Sequence, residues 1–191
     1  MRPKVPTFIV GIGGSAGGLN AYKMLLDTMP VGLGMAFVVV SHLLPTASSQ
    51  LAAILSRHTR MPVSVARAGM PVLRNHVYVC PPDTDLLVEN HNFKLVSPRS
   101  KRNAAVDLLF TSLADAVGAR AVGIVMSGYG GDGTEGCGHI KAKGGITFAQ
   151  DESAEIDGMP RSARDAGCVD FVLPPDQISR QLQEIGKRFD V

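Results

Sequence analysis

Short apolar runs alternate along the chain with stretches whose apolar residues recur at helical spacing. The first run, Thr7-Phe8-Ile9-Val10, enters a turn in which most positions from Gly11 to Gly18 are glycine. Leu19, Tyr22, Leu25 and Leu26 then mark one side of a helix, which predicts strand, tight turn, helix. Met35 to Val40 is apolar throughout, the pattern of a strand buried on both faces. It ends at Ser41-His42, with Pro45 as a breaker. Leu51, Ile54 and Leu55 predict a helix over 49–58, and Pro62-Val63-Ser64-Val65 a third short strand.

The middle of the chain reads differently. His76 to Cys80 alternates and stops at Pro81-Pro82. Asp85 to Val88 and Phe93 to Val96 flank Glu89-Asn90-His91-Asn92, which predicts a partly exposed antiparallel hairpin. Ser97 to Asn103 is polar and basic without periodicity, so a mobile surface loop is expected. Val106, Leu109, Phe110, Leu113 and Val117 mark an amphipathic helix, with Gly118 near its end. Ala121 to Met126 is a further buried strand and enters a second glycine-rich turn, Ser127 to Gly133. A helix through Ile140 and Ala142, a strand from Ile146 to Ala149, a helix from Pro160 to Ala166, a strand from Val169 to Leu173 and a helix from Pro175 to Arg188 complete the pattern. Strands alternating with helices predict an α/β sandwich with a mainly parallel sheet and one antiparallel hairpin, in a single domain over residues 1–191.

Composition narrows the function. A chain of 191 residues suits one domain, and a net charge of +2 gives no reason to expect nucleic acid or an anionic membrane. The apolar runs are too short to span a bilayer, and no apolar signal core follows Arg2 and Lys4, so a cytoplasmic location is expected. Cys80, Cys137 and Cys168 are odd in number and widely spaced. Buried free thiols are expected, with no disulfide framework and no metal site.

Ser15 is the only reactive side chain in the first glycine turn. A serine between glycines, ahead of a helix whose free N–H groups point at it, meets the physical specification of a nucleophile elbow. The same residues also fit a dinucleotide fingerprint (Gly11-x-Gly13-x-x-Ala16), a bare phosphate cradle, or a turn that simply needs glycines. Ribose recognition, however, wants an acidic residue at the end of the second strand, where this chain has Ser41-His42.

In an open parallel sheet the carboxyl ends of the strands gather along one edge, and Ser15, His42 and Asp132 all stand at such ends. Serine needs a base to take its proton, imidazole titrates in the right range, and a carboxylate on the other ring nitrogen fixes the tautomer. Taken singly, each has a simpler role: Ser15 as a capping hydroxyl, His42 as a locally bonded histidine, Asp132 as the N-cap of the next helix. Ser41 and His42 cannot themselves form the pair, since neighbours on a strand point to opposite faces. His58, His76, His91 and His139 lack ligand-like spacing. Asp83, Asp85 and Asp107 are rival carboxylates for which capping is the simpler role, and Arg161 stands at a helix start near the sheet edge, where it is either solvated or an anion ligand.

Gly13-Gly14-Ser15-Ala16-Gly17-Gly18, the strand ending in His42, Val106-Asp107, Ser127-Gly128-Tyr129-Gly130-Gly131-Asp132-Gly133, Ala149-Gln150 and Gly158-Met159-Pro160-Arg161 together resemble the CheB family of chemotaxis receptor methylesterases, over essentially the whole chain. The resemblance implies a doubly wound, three-layer α/β/α catalytic domain that needs no cofactor. It implies a triad of Ser15, His42 and Asp132 acting on glutamate γ-methyl esters of a chemoreceptor or related sensory protein, with glutamine deamidation as a second activity. Ala16, Gly17, Tyr129 and Gly130 are the expected oxyanion or lining residues, with Arg161 beside them. Better-known members have Thr where Ala16 stands, Met where Tyr129 stands and Gln where Ser41 stands. Many also carry an N-terminal receiver domain; here the first strand begins within ten residues of Met1, so a stand-alone catalytic domain is expected. A non-catalytic domain that binds receptor or signalling partners is the alternative.

Overall fold

The structure is a computed structural model that describes residues 5–42 and 48–189; Pro45 lies outside the described residues. Among these residues, nine strands and six α-helices follow one another as β1 (Ile9–Gly14), α1 (Gly18–Asp27), β2 (Ala36–Ser41), α2 (Ser48–Leu55), β3 (Val63–Val65), β4 (His76–Val79), β5 (Asp85–Glu89), β6 (Asn92–Val96), α3 (Ala105–Val117), β7 (Ala121–Val125), α4 (Thr134–Ala142), β8 (Ile146–Gln150), α5 (Gly158–Asp165), β9 (Phe171–Leu173) and α6 (Pro175–Phe189). Seven strands form one sheet in the order β3-β4-β2-β1-β7-β8-β9, with every pairing parallel. β5 and β6 make the expected antiparallel hairpin, apart from that sheet. The alternating segment at His76 belongs to the parallel sheet, between β2 and β3, and is buried from Val77 to Val79.

Pleating separates the core into two layers. Val10, Ile12, Phe37, Val39, Val122 and Ile124 face α1, α2 and α6. Ile9, Val38, Val40, Ala121 and Val125 face α3, α4 and α5, where Leu86, Val88 and Phe93 of the hairpin also pack. Adjacent strand residues thus serve opposite layers, as the two-residue period requires.

The first glycine run differs from expectation. β1 does not stop at Val10 but continues through Gly14. A Cβ on Gly11 would collide with Phe110 and Leu113, and one on Gly13 with Val106, all three on α3. These two glycines let α3 lie close on the sheet. That close approach carries the N-terminus of α3 to the strand ends. The chain leaves β1 towards β2 on one side and returns to β7 on the other, so the winding reverses beside the carboxyl end of β1, where doubly wound sheets hold their sites.

Candidate active site

Ser15 follows β1 directly, and the turn into α1 is made by Gly17 at φ 75°, in the left-handed region. Two backbone bonds lace this turn to the end of β7: Met126 N–H donates to Gly13 O (2.8 Å), and Ser15 N–H to Ser127 O (2.9 Å). Ser127 tightens the junction. Its hydroxyl donates to Ala16 O (2.7 Å) and accepts from Ile156 N–H (2.9 Å), while its own N–H donates to Gln150 Oε1 (3.0 Å). The N–H of Tyr129 then reaches the Ser15 hydroxyl, donating to Oγ at 3.2 Å. Gly128 lies against that hydroxyl so closely that a Cβ there would collide with Ser15 Oγ and Met159 Sδ.

His42 follows β2, and its N–H donates to Gly14 O at 3.3 Å. Its Nε2 lies 2.6 Å from Asp132 Oδ2. Asp132 is 4% exposed and also accepts the N–H groups of Val106 on Oδ2 (3.0 Å) and Asp107 on Oδ1 (2.8 Å), at the first turn of α3. Burial opposes its charge, but the His42 bond and the two backbone donors outweigh that and hold its carboxyl below the ordinary value. The simpler role weighed for Asp132 alone, N-cap of α4, does not hold: Asp132 serves the start of α3, and Gly133, at φ 98°, is the N-cap of α4. Asp107 takes the complementary post, accepting Gly133 N–H (2.9 Å) and Gly136 N–H (2.8 Å) at the start of α4. Burial pushes the Asp107 carboxyl up to about 6, against those two donors and with the Asp132 charge adding to the rise.

Ser15 and His42 open onto one depression of ≈ 350 Å³, lined also by Ala16, Asn103, Tyr129 and Gly130. The structure brings them to one cavity without a hydrogen bond between them among the described residues, a looseness common before substrate binds. A larger depression, ≈ 510 Å³ between Leu26–Val31, Arg57–Arg60 and Gln183, holds none of these residues.

A family model described as CheB methylesterase matches residues 10–182. The chain belongs to the CheB methylesterase family. It is 35% identical over 193 aligned residues to a protein-glutamate methylesterase/protein-glutamine glutaminase of Rhizobium johnstonii, covering 97% of this chain and 53% of that one. A putative protein of the same name from Leptospira interrogans is 33% identical, over 88% of this chain and 89% of its own. The chain thus spans about half the length of several curated relatives it matches and most of that of the Leptospira protein. The crystal structure of the Thermotoga maritima CheB methylesterase catalytic domain superposes with a TM-score of 0.84 at 30% identity, covering 93% of this chain and 98% of that one.

Within this CheB domain the lining residues expected from sequence divide. Ala16, Tyr129 and Gly130 line the Ser15 depression, and Gly17 shapes the turn behind it. Arg161 stands apart: it is exposed on α5, its Nε donates to Asp157 Oδ2 (3.1 Å), and it is not among the lining residues. Sequence reasoning gave no site role to Asn103, which lines the depression, or to Ser127, which braces the Ser15 turn; Ser127 opens the second glycine-rich motif, but nothing local marks Asn103. Asp107 was read as a cap for its own helix, but it caps α4. Among the described residues, no group of three metal-type ligands gathers, and no helix is long and apolar enough to cross a membrane.

Proposed function

We propose that this chain hydrolyses glutamate γ-methyl esters on a methylated chemoreceptor or related sensory protein, with Ser15, His42 and Asp132 as the catalytic residues. The observation that carries the reading is the buried Asp132 carboxylate on His42 Nε2, beside a serine hydroxyl held out by a backbone N–H. With Asp132 accepting from Nε2–H, the neutral ring keeps its lone pair on Nδ1, which makes Nδ1 the base. Ser15 Oγ attacks the ester carbonyl as its proton passes to His42, and Asp132 steadies the imidazolium. The N–H groups of Ala16 and Gly130, both lining the depression, donate to no partner among the described residues, so they are free to hold the oxyanion. His42 returns the proton to the departing methoxide, giving methanol and an acyl-serine. Water, activated by the same histidine, releases the glutamate. Applied to a glutamine amide, the same sequence releases ammonia, the second activity in the relatives' names.

Methanol release from methylated receptor, compared between wild type and Ser15→Ala, tests the proposal. A loss of at least about two to four orders of magnitude is expected from removing the nucleophile and its general-base partnership. Equal release would remove Ser15 from the mechanism. Receptor binding by the wild type without methanol release would instead favour a non-catalytic binding domain.

A further inference from the structure

The loop of Ser97 to Asn103, expected to be mobile, is tied down. Asp85, 1% exposed, accepts both the N–H (2.7 Å) and the hydroxyl (2.6 Å) of Ser100 on Oδ2. Arg99 Nε donates to Thr84 O (3.2 Å), and the Ser97 hydroxyl to Asp83 O (3.3 Å). A buried carboxylate thus anchors a loop that carries the exposed cations Lys101 and Arg102, with Arg99 half-buried beside them. Arg99, Lys101 and Arg102 line a depression of ≈ 290 Å³ together with Asp83, and its other walls are His42 and Asn103. Those two residues also line the Ser15 depression, so the two hollows form one continuous surface.

The charge there is unbalanced. Arg99, Lys101 and Arg102 form no ion pair among the described residues, and the three stand within four positions of one another around a single hollow. Among the described residues, Asp83 is the only carboxylate lining the hollow. From these observations, and resting on the esterase reading above, we infer that this cationic hollow binds carboxylate side chains flanking the reacting ester, so that the substrate segment is acidic. On a helical substrate, residues three and four from the ester lie about 5–6 Å from it, close enough to fall over the adjoining hollow. Singly spaced carboxylates fit this surface better than a phosphodiester chain does. The basic patch is confined to one short loop, it includes a carboxylate, and the whole chain carries only +2.

Two helical peptides test this, each with one glutamate methyl ester, flanked by glutamates in one and by glutamines in the other. Fluorescence anisotropy with Ser15→Ala measures binding apart from turnover. The acidic peptide should bind roughly 2- to 30-fold more tightly at low salt, the range for two exposed charge pairs. The preference should fade at high salt and collapse in Lys101→Glu/Arg102→Glu on the same background. Lys101→Gln/Arg102→Gln should fall between, which guards against a folding artefact. In wild type the preference should appear in KM and not in kcat. Equal affinity for the two peptides, or a preference untouched by both double variants, overturns the inference. So does equally tight binding of a single-stranded oligonucleotide. Failure of the wild type to hydrolyse either peptide counts against the esterase reading, while the binding comparison still decides this one.

Discussion

Asp132 and Asp107 cap each other's helices. The Asp132 carboxylate takes the N–H groups of Val106 and Asp107 at the start of α3, and the Asp107 carboxylate takes those of Gly133 and Gly136 at the start of α4. Each helix N-terminus, with its positive dipole end, thus faces a carboxylate borne by the other segment. Only Asp132 has the additional bond to His42. The exchange immobilises the proposed triad carboxylate from three directions. It also sets two acidic groups side by side, with opposite consequences for their titration.

That opposition makes stability pH-dependent in a specific window. Asp107 is raised from 3.8 to about 6, so between those values the folded state holds a proton that the unfolded state has lost. Its contribution is fully present below about pH 4 and is lost as pH rises through about 6. Asn keeps an oxygen for both α4 donors but cannot ionise. Asp107→Asn should therefore show a smaller fall in Tm from pH 4 to pH 6 than wild type, measured by thermal melts across that range. Parallel Tm profiles would exclude Asp107 as the titrating group.

Asp132 runs the other way. Its carboxyl is held low, so the stability it contributes is present above its unfolded value of 3.8 and is lost as pH falls through its lower folded pKa. Asp132→Asn should lower ester hydrolysis on the order of 10⁴-fold, by losing the group that sets the His42 tautomer. It should also cost about 1–2 kcal/mol, because an amide cannot replace a charge-assisted cap on α3. Methanol assays beside chemical denaturation separate the two losses, and full activity would remove Asp132 from the triad.

Gly128→Ala places a methyl group against Ser15 Oγ and Met159 Sδ. The overpacking should cost roughly 1–3 kcal/mol. Hydrolysis should fall further than stability does, since the displaced atom is the proposed nucleophile and Tyr129 N–H is its neighbour. A variant with lowered Tm but wild-type kcat would show that the hydroxyl is not held where the reaction needs it.

Ser127→Ala strips the Ser15 turn of its brace. The change leaves Ala16 O and Ile156 N–H without their side-chain partner and should cost about 0.5–1.5 kcal/mol, since both bonds are only partly buried and water can replace the hydroxyl. Ser127 touches no reacting atom in the proposed mechanism, so kcat should fall modestly, with KM moving less. A loss as large as that of Ser15→Ala would require a direct catalytic role for Ser127.

Much of this architecture was written in local pattern. The uniform apolar run at Met35 to Val40 and the alternation around Glu89-Asn90-His91-Asn92 each have one physical solution, a doubly buried parallel strand and a hairpin, and both are present. Residue chemistry at strand ends singled out Ser15, His42 and Asp132 before any distance was known, because a parallel sheet must collect its carboxyl ends along one edge. Other features depend on contacts between segments far apart in the chain. The glycines at 11 and 13 read as a turn, yet they are strand residues made small by Phe110, Leu113 and Val106, roughly a hundred positions away by the numbering. Asp107 and Asp132 each read as a cap for the helix that follows, and instead they exchanged helices. The Ser97–Asn103 loop has no period to betray its anchoring, because one buried carboxylate at Asp85 supplies it. Period and residue type determine which side faces a core and where strands end. Which distant donor meets which acceptor is decided only when the helices dock.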